Sequence, residues 1–278
     1  MQINELLKTA VLRLKESKCD EPEANAQFLL AHVLNVARTW VLVNGTFDVS
    51  AADEKLFFSL LSRKESRVPL AHITGVQPFC GLDILVTPDT LIPRPETENL
   101  VEIISEKFDK NGRYTFVDMC TGSGCIAVAL AVKFPRAQVL AVDVSPKALQ
   151  VAAQNIRKHK LNERVQLLQS NLWEEVSGTF DLIISNPPYI PTGNLAALSA
   201  EVKQEPRLAL DGGIDGYEVT RPLCQVADGY LNPGGWLALE LDDGQAWPLA
   251  RGLEEIGWRA EVKKDIFNVE RFVLAQKN

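Results

Sequence analysis

Along the first seventeen positions, apolar residues recur at helical spacing. Ile3, Leu6, Leu7, Ala10, Val11 and Leu14 fall on one face, which predicts a helix over residues 3–17. Asp20-Glu21-Pro22-Glu23 marks the next helix start, with a cap, an early proline and acids in the first turn. Phe28, Leu29, His32 and Val33 continue it. Ser50-Ala-Ala-Asp53 resembles a capping box and opens a third helix carrying Leu56, Phe57, Leu60 and Leu61. Residues 1–70 therefore read as a small helical bundle for packing or partner recognition, with no reacting constellation of its own.

The periodicity then breaks. Pro69, Gly75, Pro78, Gly81, Pro88, Pro93 and Pro95 punctuate the next stretch. Between them lie β-prone pieces at Ala71–Thr74, Leu82–Val86 and Leu91-Ile92. The pattern predicts a hairpin linker over residues 71–94. Leu91-Ile-Pro-Arg-Pro-Glu-Thr-Glu98 closes it and starts a helix, with Pro95 near the first turn and acids after it.

From residue 95 onward a third pattern takes over. β-like runs at Tyr114–Asp118, Gln138–Val142, Val165–Leu168 and Phe180–Ser185 alternate with helix-like runs at Gly124–Phe134 and from Ser145-Pro146. Further β-like runs follow at Gly235–Leu241, Arg259–Lys263 and Phe272–Ala275. Alternation of this kind predicts an α/β domain over 95–278 with a doubly wound, mostly parallel sheet, closed by an antiparallel edge hairpin. Residues 190–216 interrupt the alternation without clear periodicity. Long loops in compact domains often serve as binding loops. Glu201, Glu205 and Arg207 are its candidate contacts to a protein substrate.

Composition narrows the function. No apolar run approaches the ~18 residues of a membrane span, so no membrane partner is expected. Met1–Lys8 lacks the basic and apolar regions of a signal peptide, which makes a cytoplasmic location the expectation. The formal net charge of -7 argues against a tight grip on a nucleic-acid backbone. Cys19, Cys80, Cys120, Cys125 and Cys224 show no C-x-x-C spacing, and the three histidines share no ligand spacing. Neither a metal site nor a disulfide framework is supported.

Two stretches carry candidate chemistry. The first is Asp118-Met-Cys-Thr-Gly-Ser-Gly124, at the end of a predicted strand. Its glycines permit a sharp turn and close ligand approach, yet it is neither G-x-G-x-x-G nor a Walker loop. Asp143 closes the next strand about 20 residues on, where a carboxylate can accept both hydroxyls of a ribose. Asp118 is expected to face a cationic group. An acidic, phosphate-free pocket with a ribose acceptor suits S-adenosylmethionine better than a dinucleotide.

The second stretch is Asn186-Pro187-Pro188-Tyr189, at the carboxyl end of the Phe180–Ser185 run. Open α/β sheets bind ligands at that end of their strands. The residue before a proline is held extended, and the prolines have fixed φ and no N–H. Their carbonyls are free to accept bonds from a ligand. With the Asn186 side chain and the Tyr189 ring, they can hold a planar group bearing an NH₂. A glutamine amide and an adenine both present such a group.

Taken together, these residues resemble class I S-adenosylmethionine-dependent methyltransferases. More narrowly, they resemble the glutamine N5-methyltransferases that modify bacterial peptide-chain release factors on a Gly-Gly-Gln motif. The resemblance covers nearly the whole chain. It rests on Leu91–Glu98, Thr121–Gly124, Asp143, Asn186–Tyr189, Glu205-Pro206 and the helical N-terminal part.

The resemblance implies a seven-stranded methyltransferase sheet. It implies cofactor contacts from Asp118, Cys120, Thr121, Gly122, Ser123, Gly124, Asp143, Asn171, Leu172 and Asn186. Asn186, Pro187 and Tyr189 are implied as the catalytic group, with Pro188, Arg94 and Glu205 also on the substrate side. The implied cofactor is S-adenosylmethionine, leaving as S-adenosylhomocysteine, and the implied substrates are release factors 1 and 2. Two positions depart from the family pattern: Cys120 stands where the family usually has Gly, and Asn171 where it has Asp. The loop Asp118–Ala127 is closer to the sister family that methylates a glutamine of ribosomal protein L3. That substrate, and adenine N6 of nucleic acid, stand as the alternatives.

Overall fold

The computed structural model describes residues 1–277. Two compact units make up the chain: Met1–Val76 with Ser199–Gln204, and Gln77–Leu198 with the chain from Glu205 onward.

The first unit is helical: α1 (Ile3–Glu16), α2 (Pro22–Leu34), α3 (Arg38–Val43), α4 (Ala51–Glu65) and α5 (Leu70–Thr74). Two helix starts follow their predicted signals in part: α2 keeps the early proline and first-turn acid, but its N-cap is Glu21, left-handed at φ 47° and without a side-chain cap bond. Pro22 occupies the first turn of α2, and the Ser50 hydroxyl caps α4 by accepting from Asp53 N at 3.1 Å. Ile3, Leu6, Leu29, Leu30, Phe57 and Leu61 are buried together and form the core of this unit. Two parts differ from expectation. α3 was not anticipated, because Trp40-Val-Leu-Val43 reads locally as β-prone. Ala71–Thr74, expected as a strand, lies in α5: Pro69 sits at its N-cap and Gly75, at φ 76°, ends it in a left-handed cap.

The hairpin is therefore formed one piece later, by β1 (Val76–Phe79) and β2 (Leu82–Leu85). Its two turn residues, Cys80 and Gly81, both have positive φ (49° and 74°), as a primed two-residue turn requires. Leu91-Ile92 forms no strand.

The second unit continues with α6 (Pro95–Ser105), β3 (Thr115–Met119), α7 (Cys125–Lys133), β4 (Gln138–Asp143), α8 (Pro146–Lys158), β5 (Val165–Gln169) and β6 (Phe180–Ser185). After the long loop come α9 (Thr220–Gln225), β7 (Leu231–Glu240), α10 (Ala246–Glu255), β8 (Trp258–Lys264) and β9 (Glu270–Lys277). The seven strands order as β5-β4-β3-β6-β7-β9-β8. All neighbours run parallel except β9, which is antiparallel to both β7 and β8. The expected sheet and its antiparallel hairpin are both present, with β9 inserted so that β8 forms the edge.

Strand order reverses between β3 and β6. From β3 the chain steps outward to β4 and β5, then returns to β6 on the other side and continues to β7. Ligands of open α/β sheets bind beyond the carboxyl ends at such a switch point. The residues that follow β3 and β6 there are Cys120 and Asn186. Among the described residues no helix is long and apolar enough to cross a membrane.

Candidate active site

The loop after β3 is built from alternating left-handed positions. Cys120, Gly122 and Gly124 have φ of 60°, 56° and 79°. A Cβ at Gly124 would lie 3.1 Å from Ala152 Cβ, so strain and space both favour glycine there. Asp118 lies beneath the loop, accepting from Thr121 Oγ1 at 2.6 Å and Ala127 N at 3.1 Å. It is fully buried, which pushes its carboxyl up to about 7 against those two bonds. Asp118 is not among the residues that line the cavity described below; it lies under the loop.

Asp143, at the end of β4, accepts from Gly122 N through Oδ2 and from Ser145 N through Oδ1, both at 2.8 Å. It thereby fixes the crest of the loop and the approach to α8. Each oxygen keeps a lone pair for a further donor. Asn155 does a related task that sequence reasoning missed. Fully buried on α8, it accepts from Leu85 N at 2.7 Å and donates to Leu85 O at 2.9 Å and Ser123 O at 2.8 Å. The hairpin and the glycine loop are tied to one amide.

These elements enclose a cavity of about 590 Å³. Cys120, Thr121, Gly122, Ser123, Asp143, Asn171, Leu172, Asn186 and Pro188 all line it, so nine of the expected site residues come together. Asp89, Asp143, Glu174, Asp211 and Glu218 supply five carboxylates to the wall, and no Lys, Arg or His stands among the lining residues. Asp89 is paired with Lys147 and Asp211 with Arg207, so the wall's negative field comes from Asp143, Glu174 and Glu218; a phosphate would find no cation among the lining residues, whereas a positively charged ligand finds a favourable field. Ser123 Oγ is buried without a partner. S-adenosylmethionine, with a sulfonium, a ribose, an adenine and no phosphate, fits this donor set.

Cys120 on that wall is potentially a better nucleophile than any amide. Burial pushes its thiol up to about 12, and the nearby Asp143 charge adds to the shift. The thiol therefore stays protonated and unreactive near neutrality.

Asn186 follows β6, whose last residue is anchored by Ser185 Oγ donating to Met119 O at 2.6 Å. The next residues are held from several sides. Gln245 Nε2 donates to Tyr189 O at 2.9 Å, and Ile190 pairs with the loop strand through Leu210 O and Gly212 N. A Cβ on Gly212 would lie 2.7 Å from Tyr189 Cα and 2.8 Å from Pro188 O, so only glycine lets the backbones come this close. Pro187 is buried and Tyr189 half-buried; neither lines the cavity. Burial also raises the Tyr189 phenol, which stays neutral.

The Asn186 amide has an unequal environment. Its Nδ2 donates to Thr97 Oγ1 at 3.0 Å and to Glu240 Oε1 at 2.9 Å. Its Oδ1 is buried and has no partner within the chain. Thr97 and Glu240 were not singled out from sequence. The available signal was an acid at the end of an otherwise apolar strand, Leu237-Ala-Leu-Glu240.

Arg94 and Glu205 are used within the fold. Glu205 accepts from Ile92 N at 2.8 Å and pairs with Arg94 at 2.5 Å, and its carboxylate is almost fully buried. They clasp the long loop to the start of α6, and neither lines the cavity. The loop itself forms three 3₁₀ turns, Thr192–Ala197, Val202–Gln204 and Arg207–Ala209. Pro206, Leu208, Ala209 and Asp211 line the cavity. Glu201 is paired with the buried Lys64 at 2.8 Å, and Arg207 with Asp211 at 2.8 Å. Among the described residues no group of His, Cys, Asp or Glu is placed to hold a metal.

Comparison with known proteins agrees with this fold. Residues 5–75 match the model of the PrmC N-terminal domain, and residues 96–205 match that of the methyltransferase small domain. A release factor glutamine methyltransferase of Deinococcus radiodurans is 39% identical over 277 residues, covering 100% of this chain and 99% of the relative. One from Moorella thermoacetica is 43% identical over 249 residues, 88% of each chain. Among solved structures, a methyltransferase from Pyrococcus furiosus aligns with a TM-score of 0.53 and 26% identity, over 70% of this chain and 88% of that one. A 16S rRNA N2 G1207 methyltransferase of T. thermophilus, in complex with AdoMet and guanosine, shares the fold with a TM-score of 0.52 at 21% identity, over 73% of this chain and 50% of that one.

Proposed function

The chain belongs to the release factor glutamine methyltransferase family, and from that premise we propose that it moves a methyl group from S-adenosylmethionine to a glutamine side-chain nitrogen in the Gly-Gly-Gln motif of release factors 1 and 2. One observation carries the reading. On the wall of a cavity rich in carboxylates and without cations, a buried amide oxygen, Asn186 Oδ1, lacks a partner while its own NH₂ is fully engaged.

The chemical difficulty lies in the acceptor. A carboxamide nitrogen has a delocalised lone pair, as the rotation barrier of about 18–20 kcal/mol in a related amide reflects. Asn186 Oδ1 and the Pro187 carbonyl each accept one hydrogen of the substrate NH₂, the carbonyl from just off the cavity wall, between the lining residues Asn186 and Pro188. Two fixed acceptors orient the nitrogen and hold the amide plane. Both bind more strongly as positive charge develops on the nitrogen, so they favour the transition state over the bound substrate. Tyr189, neutral and held through its carbonyl, follows the lining residue Pro188 just off the cavity wall and would pack against the amide plane of a substrate entering from that side. S-adenosylmethionine, when bound, would supply an electrophilic methyl group on a positively charged sulfur: the N–C bond would form as the S–C bond breaks, S-adenosylhomocysteine would leave uncharged, and the excess N–H proton would pass to water. The Cys120–Gly124 loop and Asp143 would hold that cofactor, Asp143 through the ribose hydroxyls, and Asn171 and Leu172, on the same wall, would be the residues on its adenine side. The wall carboxylates complement its charge.

The test is transfer of label from methyl-tritiated S-adenosylmethionine to purified release factor, ribosomal protein L3 and duplex DNA in parallel, with the modified residue located by mass spectrometry. The expected result is label on the glutamine of the release factor Gly-Gly-Gln motif. Label confined to L3 or to DNA would replace this substrate assignment.

A further inference from the structure

Glu240 is the last residue of β7 and only 1% exposed. The β6–β7 register places Leu239 opposite Ser185, which brings Glu240 level with Asn186. Its Oε1 accepts from Asn186 Nδ2, and its Oε2 is buried with no partner. A carboxylate in an apolar strand end is costly when half of it is unsatisfied. A leucine would fill the same position in the core without that penalty. The carboxylate contributes something that packing does not.

What it contributes is visible in the Asn186 amide. An ionised carboxylate only accepts, so the NH₂ end of Asn186 must face it. Thr97 Oγ1 accepts the other amide hydrogen. The oxygen is thereby turned to the side where it has no partner. We propose that Glu240 is a positioning residue for methyl transfer: its carboxylate locks the orientation of Asn186 and, through that amide, makes Oδ1 a stronger acceptor for the substrate N–H. The inference rests on the reading that Asn186 Oδ1 receives a substrate amide. Hydrogen bonds in a chain polarise one another, by perhaps 10–30% per bond. The series carboxylate, Asn186 amide, substrate amide ends at the nitrogen where positive charge develops.

Protonation of Glu240 removes both effects. A neutral carboxyl can donate as well as accept, so it no longer dictates which end of Asn186 faces it. Burial pushes this carboxyl up to about 7. The Thr97 hydroxyl and the Arg271 and Arg94 charges oppose the shift, and Glu96 adds to it. Tyr189, the other titratable group facing Glu240, stays neutral. Because the carboxylate is the competent form, kcat should rise with pH through about 7. Asp118 titrates in the same range but lies under the cofactor loop, so its effect belongs to cofactor binding.

The experiment measures kcat against pH for the full chain with S-adenosylmethionine and release factor, alongside calorimetric affinities for S-adenosylmethionine and a Gly-Gly-Gln peptide. Glu240→Gln should lower kcat on the order of 10²-fold, the scale of a lost oriented contact to the reacting group. It should weaken peptide binding, leave cofactor affinity within about twofold of wild type, and abolish the acid limb of kcat. Glu240→Asp should recover part of the rate and retain the limb. A Glu240→Gln enzyme with wild-type kcat and an unchanged limb overturns the role of Glu240 while leaving glutamine methylation intact. If Glu240→Gln fails to bind cofactor, the other two enzymes decide: a kcat flat through neutrality in both wild type and Glu240→Asp overturns it. A wild type that labels no release factor removes the substrate reading and this inference together.

Discussion

Asn186→Ala should lower kcat by about 10²–10³-fold, equivalent to about 3–4 kcal/mol, with little change in the dissociation constant for S-adenosylmethionine. The magnitude is that of removing one preorganised electrostatic contact from a buried reacting centre. The selectivity follows from the layout. The cofactor-side contacts we propose come mainly from the ends of β3 and β4, whereas Asn186 follows β6 and is braced by Thr97 and Glu240. Alanine also leaves the Glu240 carboxylate without its amide partner, so the variant should lose some thermal stability. Equal losses in kcat and in calorimetric cofactor affinity would show that Asn186 serves the cofactor instead of the acceptor amide.

Asp143→Ala should do the reverse. The two charge-assisted bonds to ribose hydroxyls that we propose for Asp143 would be removed, and Gly122 N and Ser145 N lose their acceptor. Charged hydrogen bonds contribute about 1.5–3 kcal/mol each, so cofactor affinity should fall on the order of 10²-fold. At saturating cofactor, kcat should recover to within about threefold of wild type, provided the loop closes around its ligand. Asp143→Asn retains one acceptor oxygen and should lie between the two. Unchanged affinity in titration calorimetry would exclude Asp143 from the cofactor site.

Much of this architecture could be read before any coordinates. The β-like and helix-like runs from residue 114 onward became strands and helices of the expected sheet, because a parallel strand buried on both faces leaves a plain apolar signature, as in Phe180–Ser185. The glycine loop and Asn186–Tyr189 were legible for a different reason: proline fixes φ and removes a donor whatever its context, and glycine marks the places where the chain takes a left-handed turn that other residues avoid. What escaped notice was set by tertiary context. Ala71–Thr74 has β-branched character at Ile73 and Thr74, yet Pro69 and Gly75 bracket a single helical turn. α3 is six residues long, too short to show a period.

Within the site, legibility followed the same division. Asp143 stood out as an acid closing a strand at a suggestive distance from two glycines. Glu240 closes a strand too, but only the pairing of β6 with β7 reveals that it meets Asn186. Asn155 and Thr97 act across gaps of 32 and 89 residues, which no local pattern records. Asp118, Arg94 and Glu205 make contacts of the same long-range kind: Asp118 holds the glycine loop, and the Arg94–Glu205 pair holds the long loop to the start of α6.

The most direct measurement is a crystal structure of the protein with S-adenosylhomocysteine and a peptide containing Gly-Gly-Gln. The glutamine nitrogen should lie about 2.7–3.2 Å from both Asn186 Oδ1 and the Pro187 carbonyl, facing the cofactor sulfur. A glutamine seated elsewhere, or an Asn186 turned so that its nitrogen meets the substrate, would contradict the proposed chemistry.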